Sequence, residues 1–240
     1  QENVRFLPVP VLAISTKVFD DSTLIDLKSN SPVFYSRNIL SDSVLKFEPF
    51  IKPFYINRSS VIHAFASDGK SFSDTIRSVL YKRPNSWNVT YTDVFNSQYT
   101  AGGTMGLIDG LHGDLNWRKG EWQGFQYKDL EIVIDLGKKT KISEIRAGFL
   151  QDTRAWILMP KMVEFYFSSD NLTFELAGTV INVVKSDNYD VQIQNLVLKL
   201  KKSQKARYVK VKAINYGKLP GWHQGYGDSA FIFADEITIR

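Results

Sequence analysis

Residues 99–125 read YTAGGTMGLIDGLHGDLNWRKGEWQGF, a stretch that sets two tryptophans and two aspartates among closely spaced glycines. Glycine at that density weakens helix and strand alike, because it has the most backbone freedom to lose and no side chain to pack. The stretch is therefore expected to be irregular backbone. A loop of that length inside a compact domain ordinarily serves a ligand or an ion, and its aromatic content argues against disorder.

Downstream of it the chain alternates. Residues 130–136, 142–150, 162–168, 176–180, 191–200, 207–214 and 231–240 each read as strand, separated by turns such as Leu136-Gly137-Lys138-Lys139 and Ser168-Ser169-Asp170-Asn171. In the sixth of these, Tyr208, Lys210 and Lys212 alternate with Val209, Val211 and Ala213, the pattern of a half-buried strand with cationic outer positions. The basic run LKKSQKAR at 200–207 lies between two alternating segments and is expected to be the solvated tip of a hairpin. These strands with one glycine-rich entry loop predict a jelly-roll β-sandwich.

Upstream, residues 9–15, 23–27, 33–35, 60–66 and 75–81 are shorter β-prone pieces, broken by the Asp, Asn, Ser, Pro and Gly of tight turns. Turns spaced roughly eight to twelve residues apart predict a smaller immunoglobulin-like sandwich. Lys82-Arg83-Pro84-Asn85-Ser86 interrupts the pattern without a flexible tract, so the expected domains are 1–84 and 85–240. The fold class expected is all-β: an immunoglobulin-like sandwich, then a jelly-roll sandwich.

Composition narrows the function. Of 240 residues 43% are hydrophobic, enough for real cores, and there is no cysteine, which removes disulfides, thiolate metal sites and cysteine nucleophiles. No run of eighteen apolar residues is present to span a membrane. Residues 1–8 lack the basic start and apolar centre of a secretory signal, and a chain beginning at Gln1 without methionine reads as a processed form or an excised piece. The net charge of +5 raises the question of a polyanion, but no nucleic-acid reader motif accompanies it, and nucleic acid is not an expected partner. The three histidines, His63, His112 and His223, have no zinc-ligand spacing, and no Gly-x-Ser-x-Gly elbow occurs.

Five islands in order resemble the discoidin or factor V/VIII type C domains, whose bacterial members include family 32 carbohydrate-binding modules. They are Leu107-Ile108-Asp109-Gly110 with Asn116-Trp117, Val133-Ile134-Asp135-Leu136-Gly137, the run VEFYFSSD at 163–170, ARYVKV at 206–211, and FADEI at 233–237. The resemblance covers about residues 87–240. The first domain, through 10–19 and Ile62-His63-Ala64-Phe65-Ala66, is similar to the small sandwich near the C-terminus of chitobiase-like β-N-acetylhexosaminidases, though Phe34-Tyr35-Ser36-Arg37-Asn38 replaces the usual turn there. The domain order and Gln123-Gly124-Phe125, Phe149-Leu150-Gln151-Asp152 and Trp156-Ile157 are similar to the tail of Bacteroidetes-type hexosaminidases. An accessory region is thereby implied, without the catalytic barrel.

Such enzymes use an adjacent Asp-Glu pair in substrate-assisted hydrolysis. Asp235-Glu236 is not assigned that role, because it falls in the terminal strand, where neighbouring side chains are expected to point to opposite faces. What the resemblance implies instead is a structural calcium that staples the opening loop to the last strand. Asp109, Asp114 and Glu236 are the expected side-chain ligands, with carbonyls near Leu107 and Ala234 completing the hard-oxygen shell. The alternative is that Asp109 caps a turn with Gly110 and Glu236 is solvated or ion-paired.

Sugar sites set an aromatic face against the apolar side of a pyranose and add a few polar groups for its hydroxyls. Two loops qualify. YGKLPGWHQGYGDS at 216–229 offers Trp222 as the stacking platform with His223 and Tyr226, and residues 151–156 offer Arg154 and Trp156. Trp122 is a further candidate contact, and Trp117 is expected in the core. The expected function is a non-catalytic accessory region of a glycoside hydrolase acting outside the cytoplasm. Its partners would be a galactose- or hexosamine-type glycan and the parent's catalytic domain. Bracing of that domain or an oligomer without any ligand, and protein adhesion, are the rival readings.

Overall fold

The computed structural model describes residues 6–14, 16–40 and 44–240; Ser15, at the end of the first expected strand, and residues 1–5 lie outside the described residues. The chain divides into two compact units, Gln1–Pro84 and Asn85–Arg240. Among the described residues both are built from β-strands, with single turns of 3-10 helix at Trp117–Lys119 and Thr153–Ala155 in the second. The all-β class and the discoidin-like sandwich preceded by a smaller β region stand as expected.

In the first unit β1 (Val11–Ala13), β3 (Thr23–Lys28) and β6 (Phe54–Ile56) form one sheet. The second sheet runs in the order β2 (Val18–Phe19), β8 (Ile76–Lys82), β7 (Ser60–Ala66), β4 (Val33–Ile39), β5 (Glu48–Pro49). Alternation decides which side faces in: Ile25 and Leu27 of β3 are buried while Leu24 and Lys28 are exposed. They meet Val33, Ile62, Ala64 and Leu80 of the other sheet in one core. The two-residue strands and β6 escape sequence reading because two or three residues carry no period.

The second unit holds β9 (Asn88–Tyr91), β10 (Gln123–Gln126), β11 (Leu130–Gln151), β12 (Met162–Ser168), β13 (Glu175–Ile181), β14 (Gln192–Ala213) and β15 (Phe231–Ile239). Two 22-residue strands organise it. The first part of β11 pairs with β9 and with the end of β14, which also pairs with β12, and β12 with β13. The last part of β11 pairs with the start of β14 and with β15, and β15 with β10. Each long strand thus passes from one layer of the sandwich to the other at its middle, the way strands turn corners through bulges. Ile132, Ile134, Phe165, Val209 and Val211 from one layer meet Ile145, Phe149, Ile232 and Ile237 from the other in a continuous core. Full burial of each such side chain is worth about 1.5–3 kcal/mol.

The corner corrects two expectations. Residues 136–139 are not a turn between strands: Asp135 pairs with Tyr208 and Thr140 with Ala206, so four residues are extruded from β11 opposite Arg207. Gly137, at φ 77°, supplies the left-handed backbone this needs. Residues 200–207 are not a hairpin tip but the interior of β14, where residues 200–203 are extruded opposite Ser143. From the corner, β11 and β14 return to the opposite end of the sandwich, where the loops collect. The side chain of Asn215 gathers them, donating to the carbonyls of Lys128 (3.0 Å), Ala230 (3.2 Å) and Phe125 (3.4 Å).

Candidate functional site

Three loops meet at that end. After β11 the chain makes the turn Thr153–Ala155 and closes it with a mutual pair of backbone hydrogen bonds between Asp152 and Ile157 (3.0 and 3.1 Å). The loop between β13 and β14 is tied down by Gln151, whose side-chain amide donates to the carbonyls of Lys185 and Asn188 at 2.9 and 3.1 Å. The Thr153 hydroxyl lies 2.8 Å from the same Asn188 carbonyl.

The third loop, residues 216–229, is held by His223. Its Nδ1 accepts the Gly225 N–H at 2.9 Å, which leaves the ring proton on Nε2, 2.7 Å from the Thr153 carbonyl. With both nitrogens engaged and 3% exposure, His223 offers nothing to a sugar; it is the staple that joins the loops, and its expected role as a contact is corrected. Gly225 permits the fit, since a Cβ there would lie 2.7 Å from the Trp156 ring.

What the staple presents is Trp222. The residue is 46% exposed, and its ring stands edge-on to Tyr189, with centroids 6.2 Å apart. The Arg154 guanidinium lies over the Tyr189 ring at 5.0 Å from its centroid and donates to the Tyr189 carbonyl at 2.9 Å. Tyr226, 73% exposed, has its ring beside Gly221. Trp222 and Arg154 of the expected contacts therefore meet through Tyr189, which joins them unforeseen, while Tyr226 stands exposed in the same loop as Trp222. The signal that could have found Tyr189 is an aromatic residue within Asp-Asn-Tyr-Asp, a turn sequence with no core-facing period.

Two tryptophans leave the face. Trp122 is 1% exposed, donates its indole N–H to the Asp114 carbonyl at 3.0 Å and lies under Gly113, where a Cβ would fall 2.2 Å from the ring. Trp156, at φ 67°, turns its half-buried ring against Leu158, Leu219 and Ala230. Trp117, expected in the core, is half-buried: it packs on Tyr99 and Phe233, and its indole N–H reaches Asp152 at 3.1 Å.

The opening loop is tied to β15 by carboxylates. Ala147 pairs with Ile237 and Phe149 with Ala234, so Asp235 and Glu236 together oppose Gly148 in a β-bulge. The bulge overturns the expectation that the two side chains diverge. Glu236 accepts the Gly110 N–H (3.1 Å) and Asp235 the Gly113 N–H (3.1 Å), both in the same loop, with His112 Nδ1 3.3 Å from Asp235. Both carboxylates are buried, and burial raises both pKa values; that of Glu236 is pushed up to about 8, with the charges of Asp109 and Asp235 adding to the effect.

The expected calcium set does not assemble as a whole. Asp114 stands at the surface hydrogen-bonded to Lys119, which holds its carboxyl below the usual range. Among the described residues no group of three or more such side chains is placed to hold a metal. Asp109 and Glu236 do come together; Asp109 also accepts the Leu111 N–H at 2.8 Å, the turn cap of the alternative reading.

Fold and loops define the second unit as a jelly-roll module with an aromatic loop face. The profile of the family described as F5/8 type C domain matches residues 82–230, and the chain belongs to that family. Among solved structures, similar ones include CpGH89CBM32-5 of Clostridium perfringens in complex with GalNAc-beta-1,3-galactose (19% identity, 64% of this chain and 94% of that one, TM-score 0.41). Another is the family 32 carbohydrate-binding module of C. perfringens NanJ in complex with galactose (17%, 64% and 92%, 0.39). A third is the C-terminal domain of a chitobiase from Bacteroides fragilis (21%, 64% and 92%, 0.39). No curated protein sequence matches the chain.

Proposed function

We propose that this chain is the non-catalytic accessory region of a secreted or surface glycoside hydrolase, a chitobiase-like β-N-acetylhexosaminidase, and that its F5/8 type C domain holds a galactose- or hexosamine-type sugar against Trp222. One observation carries the reading: an indole half open to solvent, fixed by a buried histidine staple, with the guanidinium and phenol groups of Arg154 and Tyr189 beside it. An apolar plate with a few placed polar groups is what recognition of a pyranose requires. The non-catalytic part is supported by Asp235 and Glu236, which are buried and committed to loop N–H groups rather than open to a substrate.

Calorimetric titration of the 240-residue chain with galactose, N-acetylgalactosamine and N-acetylglucosamine tests this. The expected result is millimolar binding of at least one, about −4 kcal/mol, lost in Trp222→Ala at an unchanged melting temperature. Absence of binding by all three, or undiminished binding by the variant, overturns it.

A calcium ion beside Asp109 and Glu236 belongs to the same proposal, without Asp114. Buried carboxylates and glycine-turn carbonyls are donors of the hard-oxygen kind calcium takes. Calcium at a hundredfold excess over its Kd should raise stability by about 2.7 kcal/mol, and Glu236→Gln should remove that response. A melting temperature indifferent to calcium and to chelator excludes the ion.

A further inference from the structure

The sandwich corner carries a cluster of charge that neither the loop face nor the opening loop explains. The residues extruded from β11 include Lys138 and Lys139, and those extruded from β14 include Lys201 and Lys202. Between the two extrusions the strands pair again, and the register sets Lys141 directly opposite Lys205. All six lysines are exposed. Segments some sixty residues apart in sequence thus become one basic surface through strand pairing alone.

This arrangement works against folding. Like charges directly opposed across strands are destabilising, and nothing nearby offsets them. Among the described residues no carboxylate lies within ion-pair distance of any of the six. The two acids of the corner are taken: Asp135 by both arms of Arg207 at 2.9 Å, Glu144 by Arg146 and Lys199. Buried Leu136, Ile142 and Ala206 anchor the backbone beneath, so the cations stand on a fixed base rather than a loose tail.

We infer that this corner binds a linear acidic polysaccharide, its sulfate or carboxylate groups pairing with the two lysine rows. Lys138 and Lys139 precede the paired Lys141–Lys205 along one strand and Lys201 and Lys202 precede it along the other, so the charges follow two neighbouring strands in sequence, the order of a chain rather than a plane. Neither segment, 136–143 nor 199–207, contains an aromatic residue on which a nucleobase could stack. The exposed positions are lysine, glycine, serine and glutamine, so no apolar wedge is offered to a bilayer. The corner lies at the far end of the sandwich from Trp222 and does not depend on the sugar reading of that face.

The test measures binding of the 240-residue chain to dextran sulfate and polygalacturonate, against neutral dextran, at 0.15 M and higher salt. Lys201→Ala/Lys202→Ala/Lys205→Ala is expected to lose at least about tenfold in affinity for the acidic polymers and to show a shallower salt dependence, since fewer counterions are released. Lys138→Ala/Lys139→Ala, on the other strand, is expected to weaken binding in the same way. Lys46→Ala/Lys52→Ala/Lys70→Ala removes equal charge elsewhere and is expected to stay within about twofold. Melting temperatures of the corner variants should be unchanged or higher, because a repulsion is relieved. Equal losses in both lysine triples, no binding of either acidic polymer, or tighter binding to single-stranded DNA or to vesicles rich in phosphatidylserine would each overturn the inference.

Discussion

A Cβ built on Gly148 would lie 2.0 Å from Oδ1 of Asp235, nearer than any side chain tolerates. Gly148→Ala is therefore expected to push Asp235 off the Gly113 N–H and to cost about 1–3 kcal/mol, read as a lower denaturant midpoint at unchanged slope. A midpoint within error of the parent would show that the bulge yields instead. None of this is legible in sequence, because an alternating run does not show where one strand gains a residue over its partner. Trp222 and His223 make the same point: adjacent, equally unperiodic, they are indistinguishable until the fold buries one and exposes the other. The candidate face was readable as a loop rich in aromatics; which rings open outward was not.

At the scale of the element, β7 and β12 were legible to the residue, since each is a β-prone run closed by a turn sequence, Ser67-Asp68-Gly69 after one and Ser169-Asp170-Asn171 after the other. Each of the long strands read as two, because polar, lysine-rich residues at the extrusions imitate a turn. The Asp135–Arg207 pair sits where β11 begins its extrusion. Hydrogen bonds from Arg207, joined by the Gly137 N–H at 2.8 Å, hold the Asp135 carboxyl below the ordinary range. A depressed carboxylate contributes stability that is present above its unfolded pKa, about 3.9, and lost as pH falls through the folded value. Asp135→Asn should flatten the acid limb of the stability profile below about pH 4 by no more than about 1 kcal/mol, as partly exposed pairs contribute. An acid limb unchanged by the substitution would mean the pair adds nothing.

At the scale of the molecule, each unit carries its own core. Phe19, Ile25 and Leu80 belong to a cluster drawn wholly from residues before 84, while the clusters around Phe165, Trp122 and Leu219 are drawn wholly from residues after 85. Residues 85–240 produced alone are expected to melt in one cooperative transition with intact near-ultraviolet circular dichroism; an isolated piece that aggregates or melts without a transition would show that its core is incomplete. The extrusions of β11 and β14 have a practical consequence as well. Shifting a strand by one residue normally turns its inward side chains outward, but residues 200–203 already lie outside the ladder, with pairing resumed on either side. A peptide tag or fluorophore-bearing insert placed between Lys201 and Lys202 should leave every cross-strand partner where it is, so the lysine corner can be blocked at will while the fold and the loops at the opposite end stay undisturbed.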